Sequence, residues 1–302
     1  MTALDSSPSI FPLYLKAALP IIPGASTLPF VPGGGTEIPD GLGFELTGVV
    51  SDPKRVSDYA RICGFRLRDS LPPTYPHLLA FPLQMAIMSD GSFPFGAVGL
   101  VHIENRVTQL RPVGITEPLD IKVTPTPLAA HHKGQVFSLL TEASVAGEAI
   151  WSETSTMLRR GKSSENAAPD RGLAVEALDP ETPASANWKL PGDLGRRYGA
   201  ISGDRNPIHM HALTAKPLGF SSAIAHGMWT KARALAQLES RLPGSFTAEV
   251  RFRKPIFLPA RVEFASIETS GQTLFSVRGA RDRTPHLDGS IRANPPTAKA
   301  SN

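Results

Sequence analysis

The sequence predicts an α+β protein built from two similar halves, each an antiparallel sheet curled around one buried helix. Three observations predict it. The second half has an apolar segment with helical spacing, and the first half a corresponding apolar segment. In each half that segment is followed by short stretches in which apolar and polar residues alternate. The two halves also align by residue type: "YARICGFR" (59–66) lies over "YGAISGDR" (198–205), and "YPHLLAFPL" (75–83) lies over "FSSAIAHGM" (220–228). This pattern suggests an internal duplication.

Taken in order, residues 10–22, "IFPLYLKAALPII", are apolar but contain Pro12, Lys16 and Pro20 and are too short to span a bilayer. They are expected to form the first buried segment. The glycine-rich "PGGGT" (32–36) lacks a following Lys-Ser/Thr and reads as a loop. The first half then offers a helix at 78–88 and strands at 100–107, 118–123, 135–144 and 148–158. Residues 160–187 are rich in Ala, Pro and Ser and predict a linker. In the second half, Met228, Trp229, Ala232, Leu235 and Ala236 mark one face of a helix over 225–240. Strands are expected at 247–254, 260–267 and 273–280, and a disordered tail at 292–302. The domains are therefore 1–159, the linker 160–187, 188–291 and the tail.

At 302 residues the chain can bury a substantial core. With 31 basic against 27 acidic residues the charge is mixed, so no nucleic-acid partner is implied, and no segment suggests a membrane span. Cys63 is the only cysteine, which excludes an intrachain disulfide and fits a reducing cytoplasm. It is expected to be inert core packing.

Chemistry concentrates in "SGDRNPIHMH" (202–211). Asn206 can cap a helix whose first residue is Pro207. His209 then falls in the first turn and Asp204 on the loop before it, so the two side chains can face one spot. Two titratable groups converging on one water can add it to, or remove it from, a carbon–carbon bond. Such a reaction also needs a donor for charge developing on a carbonyl oxygen. "AHGM" (225–228) offers one, because Gly227 opens a helix and has no side chain to block its N–H.

The run Y-x-x-I-S-G-D-R-N-P-I-H from Tyr198, followed by A-x-x-x-G-F and I-A-H-G-M, resembles the signature of the MaoC-like hydratases and dehydratases. The duplicated layout resembles their double hot-dog members. The resemblance implies Asp204 and His209 as the catalytic pair and Gly227 as the thioester-carbonyl donor. It further implies Asn206, Ser202 and Tyr198 as supporting or substrate-side residues. It implies a lyase interconverting trans-2-enoyl and (R)-3-hydroxyacyl thioesters carried on CoA or an acyl carrier protein, with no metal and no cofactor. A homodimer is left open as the assembly. His211 departs from the aspartate many members carry.

Each of these residues admits another reading. Asp204 and His209 alone could form a capped polar turn, and "IAHGM" at the expected distance argues against that. Asp204, His209 and His211 could be metal ligands, but helical geometry would point the two rings apart. His226 reads as a structural histidine. Arg251, Arg253 and Lys254 read as a solvated strand face, with contact to carrier phosphates as the lesser alternative. In the first half the alignment puts Phe65, Ser70 and Pro82 where Asp204, His209 and Gly227 stand, so that half is expected to be non-catalytic and to line an acyl channel. The rival functions are a silent acyl-thioester binding subunit and a hot-dog thioesterase.

Overall fold

The computed structural model describes residues 1–19, 31–33, 36–161 and 172–295. The first half contains β1 (Thr2–Leu4), α1 (Ile10–Ala18), β2 (Phe44–Val49), α2 (Pro53–Cys63), α3 (Tyr75–Met88), β3 (Val101–Gln109), β4 (Leu119–Pro125), β5 (Ala129–His131), β6 (Gly134–Val145) and β7 (Glu148–Arg160). The second contains β8 (Ala186–Leu190), α4 (Leu194–Ser202), α5 (Pro207–Met210), α6 (Ala212–Ala215), α7 (Gly227–Gln237), β9 (Phe246–Phe252), β10 (Ala260–Thr269), β11 (Gln272–Gly279) and β12 (Pro285–Ala293).

The two expected sheets are in fact one. Their strands run β2-β4-β6-β7-β3 and then β9-β12-β11-β10-β8, so the second half repeats the first in reverse spatial order. The halves join where β3 pairs antiparallel with β9, with Asn105 opposite Val250 and Val107 opposite Ala248. Pairing these two edges removes exposed strand backbone from the middle of the molecule.

The duplication extends to the helices. Both α2 and α4 end on a left-handed glycine, Gly64 at φ 85° and Gly203 at φ 87°, a conformation that glycine adopts without a Cβ penalty. Each sheet half wraps one long helix. α3 is buried around nearly its whole circumference, which explains why its sequence is almost uniformly apolar. α7 buries Met228, Trp229, Ala232, Ala234 and Leu235.

Several expectations on the order of segments need correction. The segment 10–22 is not simply buried: α1 turns Ile10, Leu13 and Tyr14 to the core but leaves Phe11 and Leu15 exposed, and residues 20–22 lie outside the described residues. The glycine-rich loop is described only in part. The expected linker is only partly described as well, and its second part is fixed in place. Leu178 packs with Ala265 and Leu274, and the guanidinium of Arg278 donates to the carbonyls of Pro180 and Thr182 and to Glu263. Composition suggested flexibility because the residue that fixes the segment lies about a hundred positions away. The tail also starts later than expected: β12 runs to Ala293, and Asn294 bonds Gln109, Ser245 and Thr247. Residues 296–302 lie outside the described residues. No helix among the described residues is long and apolar enough to cross a membrane.

Because Arg278 is buried and holds three partners, Arg278→Ala should lower stability by about 3 kcal/mol, as breaking a buried polar pair does. Denaturant unfolding measures this, and limited proteolysis should show new cleavage between 172 and 185. An unchanged midpoint and an uncut strap would show that Arg278 does not fix the segment.

Candidate active site

The loop after α4 and the short α5 set the site. Asn206 caps α5, its Oδ1 accepting the Ile208 N–H at 3.4 Å, and Pro207 takes the first helical position. This fold of the loop brings Asp204 and His209 to one side. Atoms of Asp204, His209 and His226 that could each bind a proton or metal lie within 4.8 Å of one another.

His209 is buried, and its Nδ1 lies 2.8 Å from the Ile224 carbonyl. A carbonyl only accepts, so Nδ1 carries the proton and Nε2 keeps its lone pair. Burial lowers its pKa below the ordinary histidine value, with the Asp204 charge opposing this in part. His209 is therefore a neutral base.

Asp204 is the anion beside it. Burial raises its pKa, but His226, His209 and the Tyr14 hydroxyl outweigh that and hold the carboxyl below the usual range. Its Oδ1 accepts from Tyr14 Oη at 2.7 Å and from the Asn206 N–H at 3.1 Å. Oδ2 has no hydrogen bond among the described residues and lies 3.8 Å from His226 Nε2. The Ser202 Oγ accepts the Asp204 N–H at 3.1 Å and so braces the loop.

His226 forms the back wall. Its ring stacks on His209 at 3.7 Å, and Nε2–H donates to the Asp204 carbonyl at 2.9 Å. Burial and the neighbouring His209 push its pKa down to about 3, so it too is neutral. Its structural role agrees with the sequence reading. The two rings stack nearly parallel, 25° apart, so their in-plane lone pairs point side by side and not toward one cation. His211, considered as a third ligand, is exposed and lies beside Arg196 instead. Tyr198 is buried with its ring 4.8 Å from that of His226, and its hydroxyl has no hydrogen-bond partner among the described residues. It supports the histidine wall and does not line the cavity.

Gly227 is the first residue of α7, where a helix leaves an N–H without an intrahelical acceptor. A second reason for glycine comes from packing. A Cβ here would lie 3.1 Å from the ring of Phe252, so the missing side chain also makes room for that ring.

Tyr14 is the site residue that sequence reading missed. It lies on α1, 190 residues from Asp204, and its hydroxyl also accepts the Arg205 N–H at 2.9 Å. Burial and the Asp204 charge raise its pKa far above the ordinary value, so it stays a donor. Only its place within an apolar segment hinted at an inward-facing ring.

Asp204, Asn206, His209 and Gly227 all line one cavity of about 350 Å³. Apolar side chains from the first half, Phe81, Met88, Leu100 and Leu139, form much of its other wall. Lys133, Arg160, Arg253 and Lys254 bring positive charge to its lining. Arg251 and Arg253 are also engaged within the fold, by Glu104 at 3.0 Å and Asp288 at 2.6 Å. In the first half, Phe65 and Ser70 offer no acid–base pair. Pro82 lies within α3, with helix before it from Tyr75, so it does not occupy a helix start as Gly227 does.

Comparison with known proteins places the chain in a family. The MaoC like domain matches residues 179–285. The 3-hydroxyacyl-thioester dehydratase X of Mycobacterium tuberculosis is 34% identical over 275 residues, covering 91% of this chain and 94% of that protein. A crystal structure of that organism's HtdX superposes with a TM-score of 0.75 at 33% identity, covering 84% of this chain and all of that one. A MaoC-like dehydratase from Phytophthora capsici, 22% identical, shares the fold with a TM-score of 0.70 over 87% of this chain and 98% of its own. A mycobacterial protein with a double hot-dog fold superposes at 0.51, with 11% identity, over 86% of this chain and 95% of its own. With likeness of this breadth across both halves, the chain belongs to the MaoC-like dehydratase family.

Proposed function

We propose that the protein is a hydro-lyase interconverting (R)-3-hydroxyacyl and trans-2-enoyl thioesters, with one working centre in the second half. The observation that carries this reading is the neutral His209 Nε2 beside the ionised Asp204, both lining one cavity with apolar side chains from the first half.

In the dehydrating direction the thioester carbonyl rests against the Gly227 N–H, where the start of α7 favours the enolate oxygen. His209 Nε2 takes the proton from the α-carbon. Asp204 Oδ2 holds the β-hydroxyl and offsets the charge of the imidazolium. The imidazolium then gives its proton to the departing hydroxyl, water leaves, and the double bond forms. One proton is taken and returned, so the site needs no outside acid. Hydration runs the same steps in reverse. Tyr14 and the Asn206 N–H hold Oδ1 and so leave Oδ2 aimed at the hydroxyl.

Phe65 and Ser70 cannot perform these steps, so the first half serves as the wall for the acyl chain. The basic side chains at the cavity suit the phosphates of CoA or of an acyl carrier protein's prosthetic arm. A single buried thiol suits a reducing cytoplasm. A homodimer would leave the centre intact, since every residue named comes from one chain.

The purified protein should hydrate trans-2-enoyl-CoA, followed by loss of the enoyl absorbance. Asp204→Asn and His209→Ala should each lower kcat by roughly 10²–10⁴-fold while remaining folded. Near-normal turnover by either variant would contradict the assignment, and release of free thiol would favour a thioesterase.

The pH profile follows from His209. Protonation of Nε2 removes the base, and the depressed pKa means this happens only at lower pH than for an ordinary histidine. The acid limb of kcat/KM should therefore fall below about pH 6.5. An acid limb above pH 7 would show that another group controls the reaction.

A further inference from the structure

We infer that the wall contributed by the non-catalytic half selects acyl chains bearing a hydroxyl group, which His77 binds while Glu153 holds its ring in place. This rests on the reading of the cavity as the acyl site.

A plain alkyl chain needs only an apolar wall, but this wall mixes apolar side chains such as Phe81, Met88, Leu100 and Leu139 with polar ones. Among the polar ones, His77 and Gln84 on α3 line the same cavity as Asp204 and His209. His77 Nδ1 lies 2.8 Å from the Glu153 carboxylate. The same carboxylate accepts from Gln84 at 3.2 Å and from Asn105 at 2.7 Å. Asn105 also bonds Ser155 at 3.0 Å and receives the Lys231 ammonium. Glu153 is fully buried, yet these donors keep it ionised, with a pKa of about 2 against the opposing effect of burial.

An ionised carboxylate at Nδ1 fixes the orientation of the imidazole and leaves Nε2 as its free atom. The His77 side chain is 10% exposed, and that exposure faces the cavity. Phe81 lies beside the catalytic loop, 3.8 Å from where a Gly203 Cβ would be, and His77 lies four residues, about 6 Å along α3, before Phe81. His77 thus belongs to the same cavity as the catalytic loop, and the position on the acyl chain that reaches it is what the test below reads out. A hydroxyl suits Nε2 in either protonation state, because it can donate to the neutral ring or accept from the charged one. An alkyl chain would strip water from Nε2 and give nothing back.

The test compares kcat/KM for 2-enoyl-CoA substrates of equal length, without a hydroxyl or with one at successive positions from C5 outward. At one position the wild type should favour the hydroxylated chain by about tenfold, the usual worth of one hydrogen bond. In His77→Phe that ratio should fall to about one. No preference at any position in the wild type would overturn the proposal without any variant. An equal loss on every substrate in His77→Phe would place His77 against the shared pantetheine arm and would also overturn it. If the wild type turned over no enoyl thioester, the lyase reading would fail instead. Calorimetric titration with saturated acyl-CoA, plain and hydroxylated, would then test the recess alone, and equal dissociation constants would refute it.

Discussion

The pairing of β3 with β9 is the constraint on which the rest of the molecule depends. It joins two sheets into one, with the two halves in mirrored strand order on either side of the seam. The cavity exists because the two halves meet there, one supplying acid–base groups and the other the opposite wall. Lys231 of α7 reinforces the seam. Its ammonium bonds the carbonyls of Asn105 and Ala248, one on each joined strand. Burial lowers its pKa to about 7, with Glu153 and Glu249 opposing, so the seam carries a desolvated amine held by well-placed acceptors.

Division of labour follows from the duplication. A repeated unit has two helix–loop corners, and only one needs to keep reactive side chains. The corner after α4 keeps Asp204 and His209, while the corner after α2 has Phe65 packed in the core. Contact also runs the other way. α1, which belongs to the first half, supplies the Tyr14 hydroxyl that holds Asp204, and Ile10 of the same helix lies against Gly203. A Cβ at Gly203 would lie 2.5 Å from Ile10 Cδ1, so this glycine is needed for its left-handed turn and for the close approach of α1.

The sequence disclosed what is encoded locally. Asn206 and Pro207 announce a helix start, and that start fixes where Asp204 and His209 point, so the pair was legible from ten residues. Most of the long strands were legible from alternation and α7 from its apolar face, whereas α3, apolar all round, carries no helical period and β12 was not read. α2 and α4 were recognised as corresponding stretches but not as helices, since their exposed faces carry charges that blur the apolar period. What lay hidden came from contacts across the chain: Tyr14 on Asp204, Phe252 against Gly227, Arg278 on the strap at 180–182. The His77–Glu153 pair was hidden for the same reason, because α3 reads as plain core until β7 is placed beside it.

The central claim is that one neutral imidazole both takes and returns the proton on a single face of the substrate. Hydration of a trans-2-enoyl-CoA in deuterated water tests it, with the product's configuration read by NMR. A single His209 shuttle beside Asp204 predicts deuterium and hydroxyl added to the same face, giving the (R)-3-hydroxyacyl product of syn addition. Addition to opposite faces would require two separate groups on either side of the chain and would contradict the account.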